Sequence, residues 1–179
     1  IDNASSDDSI EMIHEKFPNV DVLALDQNYG FALAYNMVFQ HDKNGNTDFY
    51  LILNNDTTVE PNILSEMVNA TKEYGEEHLY CPLINYMDDP EIIWYAGGNL
   101  NLPAGVLNHQ FIRRRFTEQF KGSNITDFAT GCCIFTSKET IRKLNGFDEQ
   151  FNMYAEDVDL CLRAKSMGIY SYFVPSARM

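Results

Sequence analysis

Two groups of carboxylate and amide side chains occupy positions where they could handle a metal-bound phosphate compound. Asn54, Asn55 and Asp56 follow directly on the apolar run Phe49 to Leu53, which is typical of a buried strand. Further along, the segment Tyr154 to Asp159 brings three carboxylates to the start of a predicted helix. Ligands of open parallel sheets bind outside the carboxyl ends of the strands, and hard cations take oxygen ligands. The two groups therefore predict an enzyme that acts on a metal-bound phosphate compound.

Each group also has a purely structural alternative. Asp56 could cap the turn that precedes Thr57 and Pro61, since aspartate favours such turns. The carboxylates of the second group could cap a helix, because anions are stabilised at the positive end of the helix dipole. Asp159 in particular could pair with Arg163, four residues later on the same helix face.

Composition limits the partners of this chain. It has 179 residues, with 13 Lys and Arg against 26 Asp and Glu, which gives a net charge of -13. The length fits about one domain. The negative charge opposes binding to a polyanion and so argues against nucleic acid. A bound divalent cation would reverse the local field, so phosphate-bearing small molecules stay compatible with it.

Cysteine usage and hydropathy indicate the compartment. The four cysteines lack paired metal-ligand spacing, which favours a reduced compartment and a cytoplasmic protein. No apolar stretch approaches the roughly 18 residues that span a bilayer, so no transmembrane segment is predicted. A peripheral position at the inner face of the membrane stays open. The scattered histidines, His14, His41, His78 and His109, are expected to face solvent.

The first half of the chain predicts alternating helices and strands, which indicates parallel βαβ units. The first predicted helix is capped by Ser5 or Ser6, and the next two begin at Gly30 and at Glu60-Pro61. The predicted strands cover Val20 to Leu25 and Phe49 to Leu53. In the third helix, Ile63, Leu64, Met67 and Val68 are expected to face inward.

The second half predicts a mixed or antiparallel sheet, with a hairpin-like region from Ile92 to Leu107. The segment Arg113 to Gly122 reads as a loop, either a solvated charge run or a contact for a phosphate or anionic acceptor. The other predicted elements are strands at Tyr80 to Ile84, Ala129 to Thr136 and Ser171 to Val174, and helices at Lys138 to Leu144 and Glu156 to Met167.

Over nearly its whole length the chain resembles the family 2 glycosyltransferases, most closely their rhamnosyltransferase-type branch. The segments that carry this resemblance occur in the family's order: Asp2 to Asp7, Asn28 to Ala32, Leu53 to Thr57, Thr130-Gly131, Gly146 to Glu149 and Tyr154 to Leu160. The resemblance implies a glycosyltransferase A fold, an α/β Rossmann-like architecture with a mixed central sheet flanked by helices. It also implies a nucleotide-sugar donor, a divalent metal (Mg or Mn) and inversion at the anomeric carbon.

For the donor, the resemblance implies the following residues. Asp2 matches the carboxylate that receives the nucleobase, and Asn28, Gly30 and Asn36 match the segment beside the donor. Asp56 falls on the metal motif as the main ligand, with Asn55 as a weaker partner. This motif is usually more acidic, but a magnesium ion commonly uses one or two protein carboxylates plus substrate phosphates. A single aspartate is therefore sufficient if the donor diphosphate supplies the other ligands.

For catalysis and the acceptor, the resemblance places Asp157 on the family's catalytic base. Glu156 is expected to hold the acceptor, and Gly131 to lie on the acceptor side. Trp94 could stack on a sugar ring, although a Trp94-Tyr95 pair in a strand could equally belong to the core.

The resemblance implies a single catalytic domain over residues 1–179, with 1–83 as the nucleotide-sugar and metal half and 84–179 as the acceptor and catalytic half. In the family a strand and helix precede Asp2, so we expect a fragment that self-associates through an unpaired strand edge. The expected reaction transfers a sugar to a saccharide or lipid-linked acceptor in cell-surface polysaccharide synthesis. The alternatives are a sugar nucleotidyltransferase and a non-catalytic saccharide-binding module.

Overall fold

A computed structural model describes residues 1–42, 45–116 and 124–179. It divides into two compact units. The first unit comprises Ile1–Asn46 and Gly146–Glu156, and the second comprises Thr47–Asn145 and Asp157–Met179. The two units are defined by contacts within the chain, and their bounds differ from those of the functional halves 1–83 and 84–179. The functional halves stay a proposal.

The first unit contains two helices, α1 (Ser9–Lys16) and α2 (Gly30–His41). Helix α1 begins later than predicted, because the Asp7 carboxylate accepts hydrogen bonds from the Ser9 amide at 3.1 Å and the Ser9 hydroxyl at 2.5 Å. The predicted strand from Val20 to Leu25 is wrong. In the described residues this segment forms one parallel bridge, between Asp2 and Ala24, through two backbone hydrogen bonds of 2.9 Å.

Helix α2 begins at Gly30, as predicted. Gly30 has φ +75°, and a Cβ there would lie 2.2 Å from the Asn152 side-chain oxygen, so this position requires glycine. The Phe31 amide donates to the Asn152 carbonyl at 3.0 Å. Phe31 also packs edge-on against Phe147, with ring centroids 5.5 Å apart. The segment Gly146–Glu156 therefore covers the start and one side of α2 within this unit.

The second unit is built on a mixed sheet. Its strands are β1 (Phe49–Leu53), β2 (Leu79–Tyr86), β3 (Asp89–Tyr95), β4 (Gly98–Asn101), β5 (Val106–His109), β6 (Asn124–Thr126), β7 (Cys133–Ser137) and β8 (Ser171–Arg178). Its helices are α3 (Ile63–Tyr74), α4 (Lys138–Leu144) and α5 (Glu156–Ser166), the last of which starts at the final residue of the first unit.

The main sheet has the order β1-β7-β2-β8-β6, with β3 paired to β2. Strand β7 is antiparallel to both β1 and β2, and β8 is parallel to β2. Strands β1, β2 and β8 therefore run in the same direction, as the predicted βαβ units require, but β7 lies between the first two. The prediction of a mixed sheet with flanking helices is confirmed.

Helix α3 packs one face on this sheet. Ile63 and Met67 are buried in a cluster with Phe135 and Val174, as their helical spacing predicts. Leu64, which was expected to face inward, is 52% exposed, because it lies one position past Ile63 and points away from the sheet. The helix also begins at Ile63 instead of at Pro61.

The smaller elements of the second unit follow local signals. Helix α4 has the predicted bounds, and the Ser137 hydroxyl caps it by accepting a hydrogen bond from the Thr140 amide at 3.2 Å. Strand β7 begins at Cys133 and not at Ala129 as predicted, since the preceding residues form a turn with a bond from the Cys133 amide to the Thr130 carbonyl. Strands β4 and β5 form a hairpin over residues 98–109, so the predicted hairpin-like region, Ile92 to Leu107, begins too early and ends two residues too soon. None of the helices in the described ranges has the length and apolar character needed to span a bilayer.

Candidate active site

The end of β1 and the start of β7 bring two predicted segments together at one edge of the sheet. Leu53 pairs with Cys133, and the Asn54 amide donates to the Cys132 carbonyl at 3.0 Å. The turn after β1 is closed by the Thr57 hydroxyl, which donates to the Asn54 carbonyl at 2.7 Å. Asn55 and Asp56 are exposed at this turn. The carboxylate of Asp56 is therefore presented beside the loop that precedes β7.

Asp157 is fixed against the same loop. Its Oδ2 accepts a hydrogen bond from the Gly131 amide at 2.7 Å, and its Oδ1 accepts one from the Val158 amide at 2.8 Å. Each bond restricts rotation of the carboxylate, so its direction is set by the start of α5 and by a peptide 26 residues earlier in the chain. The second unit thus groups Asp157, Gly131 and the turn that carries Asp56.

The side chains at this edge of the sheet offer oxygen atoms as ligands for a cation. Burial, and then the negative charge of Asp56, raise the pKa of the Cys132 thiol to about 11. A thiol with this pKa is protonated at neutral pH. The exposed groups at this turn that offer oxygen to a cation are the Asp56 carboxylate and the Asn55 amide.

His109 is a residue of this region that the sequence did not indicate. Its Nδ1 lies 3.2 Å from the Trp94 carbonyl oxygen, and its ring packs edge-on against Trp94 with centroids 4.6 Å apart. Burial lowers the pKa of His109, while the Trp94 carbonyl and the negative charge of Asp157 oppose that change. The expectation that it faces solvent is wrong because it pairs with Gly98 in the hairpin and so lies at its base.

His78 is a second exception to that expectation. It is 7% exposed, its Nδ1 accepts a hydrogen bond from the Tyr170 amide at 3.2 Å, and burial lowers its pKa. Its ring packs between Tyr170 and Tyr172, so the histidine is a core residue.

The two aromatic residues of β3 have different environments. Tyr95 is fully buried, and its hydroxyl donates to the Phe128 carbonyl at 2.7 Å, which makes it a core residue. Trp94 is only partly buried, so its ring stays a candidate for stacking on an acceptor sugar. Tyr95 anchors the segment that leads from Phe128 to Gly131.

In the first unit, Asp2 is a buried carboxylate with local partners. It accepts hydrogen bonds from the Ser5 amide at 3.0 Å and the Ser5 hydroxyl at 2.5 Å. These bonds, the hydroxyl's first, lower the pKa of Asp2, so it is an anion at neutral pH. A fixed anion of this kind can accept hydrogen bonds from the N–H groups of a nucleobase.

Asn3, which the sequence did not single out, joins the predicted donor residues of this unit. Its amide nitrogen donates to Asn28 Oδ1 and to the Gly30 carbonyl, both at 3.0 Å, and its oxygen accepts from the Tyr29 amide at 2.8 Å. Asparagine next to a turn often bonds backbone groups in this way, which is the signal that could have identified it. Asp2, Asn28 and Gly30 are therefore brought together.

Asn36 and Glu156 lie elsewhere in the first unit. The Asn36 side chain bonds both backbone groups of Phe147 at 2.9 Å and reaches Glu149 at 3.1 Å, so it positions the segment after Gly146. A contact from Asn36 to the donor stays a prediction. Glu156 is buried at the first position of α5, and its acceptor role also stays a prediction.

Asp159 has the structural role that the sequence predicted. Its carboxylate accepts a bond from Arg163 Nε at 2.7 Å, four residues later on α5. Asp157 and Asp159 therefore have different partners. Asp157 bonds the Gly131 amide of the loop that precedes β7, whereas Asp159 forms an ion pair with Arg163.

The chain is similar to known glycosyltransferases. The family model described as Glycosyl transferase family 2 matches residues 1–144. The chain is 25% identical, over 99% of its length, to the N-acetylglucosaminyl-diphospho-decaprenol L-rhamnosyltransferase of Mycobacterium tuberculosis H37Rv and spans 64% of that protein. It is 32% identical to the rhamnosyltransferase WbbL of Escherichia coli K12 over 59 residues, which are 33% of this chain and 22% of that protein.

The fold has a match among solved structures. The crystal structure of GalNAc-T7 with UDP, GalNAc and Mn2+ superposes with a TM-score of 0.74 at 16% sequence identity, covering 97% of this chain and 34% of that one. This likeness shows the fold, which is the glycosyltransferase A fold predicted from the sequence. With the family model matching residues 1–144, the chain belongs to glycosyl transferase family 2.

Proposed function

We propose that this chain is the catalytic domain of an inverting glycosyltransferase, which moves a sugar from a nucleotide-diphosphate sugar to a saccharide acceptor. The observation that carries the proposal is the Asp157 carboxylate, held by the Gly131 amide at 2.7 Å beside the turn that presents Asp56. Membership of the family supports the reaction class.

In the proposed step, Asp157 takes the proton of the acceptor hydroxyl while that oxygen forms a bond to the anomeric carbon. The bond from this carbon to the diphosphate oxygen breaks, and the nucleoside diphosphate leaves with the electron pair. General-base assistance of this kind accelerates a reaction by about 10²–10⁴. The two backbone bonds to Asp157 hold the carboxylate in one direction, which limits the reorganisation needed at the moment of transfer.

A divalent ion, Mg or Mn, fits the residues at the end of β1. The described residues contain no group of three or more His, Cys, Asp or Glu side chains that could hold a metal. Asp56 and Asn55 supply one carboxylate and one amide oxygen at an exposed turn, which suits an ion that takes its other ligands from phosphates and water. When bound, the ion would neutralise charge on the donor diphosphate. Asp56 would hold it and orient the diphosphate.

We assign the nucleobase to the Asp2 carboxylate of the first unit. Its lowered pKa keeps it charged, and the Asn3 side chain holds the backbone of Tyr29 and Gly30 near it. Asn28 would then contact the donor through its side-chain amide, and Gly30 through its backbone. Asn36 would act by positioning the segment that begins at Gly146.

For the substrates, the names of the relatives indicate an activated rhamnose as donor and a diphospho-polyprenol-linked saccharide as acceptor. Such an acceptor belongs to cell-surface polysaccharide synthesis and lies at a membrane. The protein would therefore work in the cytoplasm, at the inner face of the membrane. Trp94, Gly131 and Glu156 are the residues assigned to the acceptor.

The test is a turnover assay of the chain with a panel of nucleotide sugars and a polyprenyl-diphosphate-linked acceptor, with Asp157→Asn as the inactive control. We expect release of nucleoside diphosphate together with a glycosylated acceptor that has the inverted configuration. Release of pyrophosphate would indicate a sugar nucleotidyltransferase instead. Binding of saccharide with no release of either product, in all conditions that fold the chain, would indicate a non-catalytic module.

A further inference from the structure

His109, the last residue of β5, has an imidazole ring that is held by aromatic neighbours. The ring packs edge-on against Trp94 and Tyr95, with centroid distances of 4.6 and 5.1 Å, and the Phe128 ring lies 6.1 Å away. Gly98 stands opposite His109 in the hairpin, so no cross-strand side chain displaces the imidazole. A Cβ at Gly98 would lie 2.1 Å from the Phe128 ring, so this packing requires glycine. The position of the imidazole is therefore set within the second unit.

The Trp94 carbonyl determines which ring nitrogen of His109 carries a proton. A carbonyl oxygen only accepts hydrogen bonds, so Nδ1, which lies 3.2 Å from it, must be the N–H group. Burial lowers the pKa of His109, so the ring is neutral at neutral pH, and Nε2 of this tautomer is a hydrogen-bond acceptor. In the part of the chain that the structure describes, Nε2 has no hydrogen-bond partner, and it is not a buried atom. An acceptor nitrogen with a fixed direction is thus open to a ligand.

Two other groups of the second unit are neighbours of this nitrogen. The Trp94 ring is only partly buried and offers an aromatic face. The Asp157 carboxylate is near enough that its negative charge acts on His109. Phe128 lies beside His109, and the same loop continues to Gly131, whose amide bonds Asp157 at 2.7 Å. The imidazole is therefore tied to the loop that aims the catalytic carboxylate.

Packing alone does not account for a histidine at this position. Neither the contacts of the ring nor its hydrogen bond to Trp94 uses Nε2. A neutral acceptor nitrogen, an aromatic face and a carboxylate together suit a neutral ligand that carries hydroxyl groups, which is the chemistry of a saccharide. The charge of Asp157 opposes a negatively charged ligand at the same place.

We propose that His109 is an acceptor-binding residue whose Nε2 accepts a hydrogen bond from one hydroxyl group of the acceptor saccharide, while the sugar ring packs on Trp94. This bond selects the hydroxyl group that is presented to Asp157, so His109 determines specificity for the acceptor and for the linkage. The inference rests on the proposed function, because it assigns the ligand to the acceptor side of that reaction.

Binding can be measured without turnover, because Trp94 is the single tryptophan of the chain and its fluorescence reports on this site. The experiment titrates the chain with methyl glycosides of common hexoses and N-acetylhexosamines, with and without a chelator. We expect at least one glycoside to move the emission to shorter wavelength in both conditions, since a stacked sugar removes water from the partly buried indole. The proposal is overturned if no glycoside gives a response, or if the response disappears with the chelator.

Two substitutions separate binding from packing. His109→Asn can keep an amide nitrogen in place of Nδ1 and removes the acceptor at Nε2, so the dissociation constant of the glycoside should rise about three- to tenfold. His109→Gln can keep an oxygen at the position of Nε2 and should change this constant by about twofold at most. His14→Asn, which changes an exposed histidine of α1, is the control and should have no effect. A ring with a packing role alone would give the reverse order, with His109→Asn the milder change, and that result would refute the proposal.

Deoxy derivatives of the bound glycoside identify the hydroxyl group that bonds His109. Removal of that hydroxyl should weaken binding to the unchanged chain and have no further effect in His109→Asn. Removal of any other hydroxyl should weaken binding to both chains equally. Additive losses for every derivative would rule out the hydrogen bond.

The proposed function and this inference can fail separately. In the turnover assay, His109→Asn should raise the acceptor KM and leave the donor KM unchanged. Glycoside binding that depends on His109, without any sugar transfer, would overturn the proposed reaction and leave the saccharide site standing. Sugar transfer with the same acceptor KM in His109→Asn as in the unchanged chain would overturn the role of His109 alone.

Discussion

Asp2 and Asp157, the two carboxylates assigned to the nucleobase and to catalysis, are held in different ways. The Asp2 carboxylate accepts hydrogen bonds from the hydroxyl and the amide of Ser5, three residues later, so one local turn fixes it and lowers its pKa. Asp157 takes one bond from its neighbour Val158 and the other from the distant Gly131. The first carboxylate is set by its own segment, and the second depends on how the sheet and α5 come together.

The difference has a chemical meaning. A nucleobase contact needs a permanent anion in a fixed place, which a serine-rich turn can supply. A general base must instead be aimed at the acceptor oxygen, and a peptide from a separate loop can hold it in that direction. Changes at Asp157 should therefore affect turnover, whereas changes around Asp2 should affect binding and stability.

The largest expected effect is the loss of turnover in Asp157→Asn. The amide keeps the size of the side chain and loses the proton acceptor, so turnover should fall by at least about a hundredfold, with the donor dissociation constant nearly unchanged. The control is Asp159→Asn in the same helix, which removes an ion pair to Arg163 and should keep most of the turnover. Unchanged turnover in Asp157→Asn would break the comparison, because Asp157 would then be a helix-terminus residue.

The next effect concerns Asp56→Ala, which removes the carboxylate assigned to the metal. Donor affinity should fall by about tenfold or more and should no longer respond to a chelator, because the diphosphate charge would lose its counter-ion. Calorimetry of donor binding with and without the chelator measures both changes. Asp48→Ala, an exposed aspartate before the other end of β1, is the matched control. Metal-independent binding of full strength in the unchanged chain would show that Asp56 is a turn residue.

A smaller effect is expected for Asn3→Ala. This variant tests whether the hydrogen bonds of one side chain hold the segment from Asn28 to Gly30 in the first unit. The change removes the hydrogen bonds to Asn28, Tyr29 and Gly30, and should lower the free energy of unfolding by about 1–3 kcal/mol. Urea unfolding measures this. Asn101→Ala, which removes a single 3.3 Å bond at the exposed tip of the hairpin, should cost much less. Equal losses in both variants would contradict a special role for Asn3.

The smallest effect is the pH dependence that Asp2 contributes to stability. The pKa of Asp2 is lowered from its ordinary value of 3.8 in the folded chain, so its contribution is fully present above that value. It is lost as the pH falls from 3.8 through the lower folded-state pKa, because the unfolded chain binds the proton first. Ser5→Ala should flatten this part of the curve of unfolding free energy against pH. An identical curve would show that Ser5 does not tune Asp2.

The amino-acid sequence determined the features that depend on neighbouring residues. An apolar run bounded by polar residues predicted the bounds of β1, and the bounds predicted for α4 are also observed. The ordered motifs identified the family and its fold. The motif residues Asp2, Asp56 and Asp157 could be named because each lies next to a recognisable strand end or helix start.

Only the tertiary structure decided which distant groups meet. No periodicity indicates that the Gly131 amide bonds Asp157, that β7 lies between β1 and β2, or that His109 packs against Trp94. The segment from Val20 to Leu25 shows the same limit. Its residues predict a strand, and yet in the described residues it forms one bridge, between Ala24 and Asp2. Strand pairing and the aim of a carboxylate depend on hydrogen bonds to groups far along the chain. A sequence pattern records a residue's own preference and does not record that distant partner.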